Sequence, residues 1–143
     1  MSGTQMLLVL LATILFSTIL ISTYNNMFDL IEFTYQESFT LQGLKLADKQ
    51  FQKIEVELLG NLYTFSEVHS LYSDLSDSIS LNSITFYHNI QSAYCDSVGT
   101  NVVGTSDYQR FDLRMWAVPT SEDTIHIGTT ANPVSLLITN MEF

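Results

Sequence analysis

The sequence predicts an α+β fold: a long N-terminal helix, apolar in its first third and amphipathic beyond, followed by a small antiparallel β-sheet head. Three observations carry this. From Thr4 to Gln42 there is neither Gly nor Pro to interrupt a helix. Leu44, Ala47, Phe51, Ile54 and Leu58 then follow a spacing of three and four residues, which lines them along one helical stripe. From Ser83 onward, runs such as "YQRFDLRMWAV" alternate apolar and polar residues, the pattern of a half-buried strand. Helix first and strands later is an α+β order, and 143 residues hold one domain plus an appendage.

Residues 1–23 form the first part, an apolar helix for a membrane or a filament core. The first charged side chain is Asp29, although the chain carries a net charge of −10. The run Met6–Ile21 is broken only by Thr13, Ser17 and Thr18, whose hydroxyls can bond back to carbonyls of the preceding turn. A helix over 6–24 spans about 28 Å at ~1.5 Å per residue, close to the ~30 Å of a bilayer's hydrocarbon core. The side chains expected to face lipid or neighbouring helices are Met6, Leu7, Leu8, Leu11, Ile14, Leu15 and Ile19. A secretory signal fits less well. Met1–Gln5 holds no Lys or Arg, and "STYNN" offers no small-x-small cleavage site.

Residues 24–60 form an amphipathic stem. Met27, Ile31, Tyr35 and Phe39 recur every four residues, Gly43 is a place for a bend, and Gly60 is a helix stop. The charges are segregated. Asp29, Glu32 and Glu37 lie upstream, and Lys45, Lys49 and Lys53 recur every fourth residue downstream. Within one chain Lys53 can meet Glu57 and Lys45 can meet Asp48, at ~0.3 kcal/mol each. Between copies, a shift of 16 residues brings Asp29 level with Lys45 and Glu37 level with Lys53, an axial stagger of about 24 Å.

Residues 61–143 form the head. "NLYTFSEVHSLYSDLSDSISLNS" reads as a Ser- and Asp-rich loop with a short helix around 65–75. Four strands are expected in "SITFYHNIQSAYCDSV", "YQRFDLRMWAV", "TIHIGTT" and "VSLLITNMEF". On the second of these, Phe111, Leu113, Met115 and Ala117 alternate with Asp112, Arg114 and Trp116.

Little in the chain points to catalysis. His69, His88 and His126 are too far apart for a helical metal pair. Cys95 has no basic neighbour to activate it, and no G-x-S-x-G elbow is present. No catalytic, cofactor or metal residue is therefore expected. The acidic balance leaves no basic patch for nucleic acid. Loop acids Asp74, Asp77, Asp96, Asp107, Glu122 and Asp123 do not form an EF-hand frame and read as solvated. A tethered extracytoplasmic binding module and a filament subunit are the two functions that suit such a chain.

An apolar N-terminal helix that continues into an amphipathic stem and then a small antiparallel sheet resembles the type IV pilins and pseudopilins. "MSG" before "TQMLLVLL" is similar to a prepilin leader, and the resemblance implies cleavage between Gly3 and Thr4. Leu8 stands where that family commonly places a Glu. The resemblance implies a helical homopolymer assembled through the apolar helix by pilus or secretion machinery. It further implies residence in the inner membrane before assembly and at the cell surface afterwards. It also implies calcium as a ligand for loop oxygens near the C-terminal strands.

Overall fold

A computed structural model describes residues 2–81, 84–118 and 124–140. Helix α1 runs over Gly3–Leu59, and α2 over Phe65–Leu71. Five strands follow: β1 (Leu75–Leu81), β2 (Ile84–Cys95), β3 (Tyr108–Ala117), β4 (Ile125–Ile127) and β5 (Val134–Thr139). The fold is α+β, a long N-terminal helix followed by a small antiparallel sheet. The expected β segment after Pro133 ends at Thr139, and residues 141–143 lie outside the described residues.

The chain divides into two compact units, Met1–Ser38 and Phe39–Phe143. The second therefore begins well before Gly60, because the last third of α1 supplies part of the head's core. Leu46, Ala47, Phe51 and Ile54 are buried there with Val68 and Tyr72, against Phe86, Ile90, Phe111, Leu113 and Met115 of the sheet. Each of the fully buried Leu, Ile, Phe, Val and Met side chains contributes roughly 1.5–3 kcal/mol on burial.

In the sheet, β1 pairs with β2 and β2 with β3, and the far edge of β3 is shared. There β5 covers Tyr108–Leu113 and β4 covers Met115–Ala117, all antiparallel. The alternation expected in β3 is present: Phe111, Leu113, Met115 and Ala117 face the core, and Asp112, Arg114 and Trp116 face outward.

Three local details bear on the expectations. Helix α1 is continuous through Gly43. A Cβ at Gly43 would collide with the Ile127 side chain, so the glycine lets helix and sheet approach closely. The buried stripe consequently runs through Gly43 and Leu46 and leaves Leu44 exposed. Second, α2 ends at Leu71, and residues 75–81 are a strand and not a loop. Leu75 and Ile79 turn to the core side, which is enough to fix an edge strand. Third, α1 stops at Leu59, immediately before Gly60 as expected, and the left-handed turn is taken by Asn61 (φ 50°). The Asn61 N–H donates to the Leu58 carbonyl at 3.0 Å, and that of Leu62 to Glu57 at 3.0 Å, satisfying the helix's last carbonyls.

Helix α2 opens with a full capping box. The Glu67 N–H donates to Thr64 Oγ1 at 3.3 Å, and the Thr64 N–H donates to Glu67 Oε2 at 2.8 Å. Buried Gln109 donates from Nε2 to the Phe65 carbonyl at 2.6 Å, joining α2 to the sheet.

Candidate assembly helix and head surfaces

In the first unit, every described side chain from Ser2 to Ser38 is exposed, including all seven expected assembly residues, Met6, Leu7, Leu8, Leu11, Ile14, Leu15 and Ile19. The segment is long and apolar enough to cross a membrane, and none of its apolar window is buried. It is compatible with membrane insertion. Several of its hydroxyls bond within the helix: Ser17 donates to the Thr13 carbonyl at 2.8 Å, Thr18 to Leu15 at 2.8 Å and Thr23 to Ile19 at 2.8 Å. Such back-bonding removes the main penalty for a hydroxyl in a dry environment. Gly3 is the first helical residue, followed by Thr4.

The stem charges are all exposed, with Asp29, Glu32 and Glu37 in the first unit and Lys45, Lys49 and Lys53 in the second. Lys53 lies 3.8 Å from Glu57, the expected intrachain pair. Lys45 and Lys49 make no ion pair among the described residues. Asp48, the expected partner of Lys45, instead accepts from Gln52 Nε2 at 2.8 Å. Glu57 also accepts from the Tyr72 hydroxyl at 2.7 Å; burial, reinforced by that carboxylate, pushes the phenol's pKa up.

The histidines and the cysteine stay apart. His69 Nδ1 lies 2.8 Å from Ser92 Oγ, and its ring packs on Tyr94. His88 is buried in the core with Nδ1 unpartnered, and burial holds its pKa below the usual value. His126 is exposed on β4. Cys95 is buried, which pushes its thiol pKa up and away from nucleophile chemistry. Among the loop acids, Asp96 accepts from the Val98 and Thr100 N–H groups at 3.0 and 2.8 Å. No group of three metal-ligating side chains forms among the described residues. Glu122 and Asp123 lie outside them.

Among the described residues, the head carries an apolar cleft and a polar groove. An apolar cleft of about 550 Å³ lies where α1 ends, between Leu58, Leu62, Tyr63 and Phe65 on one side and Leu137 and Ile138 on the other. A polar groove of about 610 Å³ crosses the outward face of the sheet, with Asn89, Arg114 and Trp116 among its lining residues. Pattern alone places Arg114 and Trp116 outward on β3. That Asn89 lies opposite Arg114 and Tyr87 opposite Trp116 follows only from the β2–β3 register.

No family model, curated protein or solved structure matches this chain. What the fold defines is a class: an α+β head on a helix whose apolar N-terminal part suits a membrane.

Proposed function

We propose that this protein is a structural subunit of a type IV pilus-like or pseudopilus-like extracellular filament. The observation that supports this reading is the uncovered apolar helix. Residues 3–28 bear no charge and every side chain among them is exposed, so they need lipid or other apolar helices around them. A bundle of identical helices offers the same dry surroundings as a bilayer, so one segment serves before and after assembly. The partners are other copies of the chain and the machinery that extracts it from the inner membrane. Repeated head-to-tail contacts extend an open filament. No cofactor or nucleic acid enters this reading.

Electron microscopy of sheared cell-surface material tests it. Polymers that contain the chain are expected, with an intact mass lacking Met1–Gly3 if a prepilin peptidase acts at Gly3. Protein confined to the membrane fraction, with no polymer, would favour a second reading: a single-pass membrane-anchored extracytoplasmic binding module. The polar groove on the head is what supports that alternative.

A further inference from the structure

We propose that the outward face of the sheet binds a neutral saccharide, seated against Trp116 and hydrogen-bonded between Arg114 and Asp74. The site lies wholly within the second unit, so the inference is independent of what the apolar helix does.

The groove's polar groups are organised by one residue. Asn89, only 9% exposed, accepts from Arg114 Nη2 at its Oδ1 (2.7 Å) and donates from Nδ2 to Asp74 Oδ1 (2.7 Å) and Ser76 Oγ (2.9 Å). A buried amide thus holds a guanidinium on one side and a carboxylate on the other. Arg114 also reaches Thr130 Oγ1 from Nη1, at 3.2 Å. Two of the guanidinium's five N–H donors are used in these bonds, and the other three remain for a ligand. Asp74 takes bonds from Asn89 and Gln91, which lower its pKa and keep it an ionised acceptor. Its carboxylate has about four acceptor sites, so capacity remains there too.

Beside this set stands an aromatic strip. Trp116 is half-buried and stacks with its cross-strand partner Tyr87, ring centroids 6.1 Å apart at 20° between planes. His126 faces the same way from the other side of Trp116.

The arrangement matches one ligand chemistry. A sugar hydroxyl both donates and accepts, so it uses a fixed donor and a fixed acceptor a residue apart. The sugar ring's C–H face packs on an indole, which supplies broad apolar contact at low entropic cost. Formal charge on the ligand fits poorly. The groove's lining carries one acid, Asp74, and one guanidinium, Arg114, which offset each other and leave no local surplus of charge for an ion. The volume lies in the range of small-molecule sites. Because Asn89 already fixes the polar groups, less ordering is needed on binding.

Trp116 is the chain's single tryptophan, so its emission reports on the groove directly. The test uses the full chain in phospholipid nanodiscs, which avoid glycoside detergents, titrated with maltotriose, cellotriose, chitotriose and N-acetyllactosamine. A saturable quench or shift with at least one of these is expected. By calorimetry, Trp116→Ala should weaken that binding by about tenfold or more, whereas Trp116→Phe, which keeps a ring, should change it by less than about threefold. Arg114→Gln should also cost about tenfold with an unchanged melting curve. If that variant melts early, the exposed Asp74→Ala replaces it. The proposal is overturned if no saccharide gives a saturable response, if sodium acetate gives an equal one, or if a well-folded Arg114→Gln or Asp74→Ala binds like wild type.

Discussion

Gly43 and His88 sit on opposite sides of the helix–sheet contact, and each carries a measurable consequence. In mid-helix, glycine is about 1 kcal/mol worse than alanine, so its presence at position 43 needs a reason. Its place against Ile127 and Phe86 supplies one. Gly43→Val should lose stability by roughly 1–3 kcal/mol, since the strain of overpacking exceeds the gain in propensity. Urea unfolding followed by Trp116 emission would measure it, and a stability equal to or above wild type would refute the close-approach argument. His88 predicts a pH effect. Burial, the largest cause, lowers its folded pKa below the ordinary 6.5; the charge of Asp77 opposes this and that of Lys53 adds to it. The unfolded chain therefore binds the proton first as pH falls. Stability is full above about 6.5 and declines below it until the folded form also protonates. His69, lowered by burial as well, adds to the same window. The depressed carboxylates Glu67, Asp74 and Asp96 act only in their own, more acidic range. Replacing His88 with Leu should flatten the slope between pH 7 and 5 in thermal melts without abolishing the decline below the carboxylate range.

At the scale of elements, what was legible followed the strength of the periodic signal. The long helix was plain from its apolar spacing and the absence of Gly and Pro before Gly43, and β3 from strict alternation, since one of its faces lies on the core. β1 was hidden because "LSDSISL" is mostly serine: an edge strand needs only Leu75 and Ile79 on the core side, and its remaining side chains stay polar. Gly43 is a related case. Sequence shows a residue that can break a helix, whereas only the tertiary neighbour Ile127 shows that it is there for space. The apolar segment was legible as an element, and the groove was not, because Asn89, Arg114 and Asp74 come from three places in the chain and meet only through strand register. The helix yields a direct expectation. Leu11→Arg or Ile14→Arg should reduce insertion, since arginine at mid-bilayer costs at least ~2.5 kcal/mol. Membrane fractionation and protease protection would read this; wild-type insertion of both variants would mean that the segment never enters a dry environment.

At the scale of the whole molecule, the question is what the charged stem does when copies meet. On the filament reading, copies staggered by 16 residues bring the acids of one beside the lysines of the next. Lys53 is already engaged with Glu57 in its own chain, so Lys45 and Lys49, exposed and without an ion pair among the described residues, are the cleaner probes. An exposed pair is worth only ~0.2–1 kcal/mol. At a contact between stems, partly shielded from water, an unmatched charge costs more than the pair contributes. Reversing both lysines to Glu should therefore block polymer formation while leaving head folding intact, because neither side chain enters the core. Reversing Asp29 and Glu32 or Glu37 to Lys in that same chain should restore some assembly, since complementarity is then inverted and not lost. The tethered-module reading expects neither change to matter, because its lysines only face water. Polymer yield from sheared cells, set against membrane content and the circular dichroism of the purified variants, separates the two. Normal filaments from the Lys45→Glu, Lys49→Glu double variant would remove the charge stagger from the filament reading and leave assembly to the apolar helices alone.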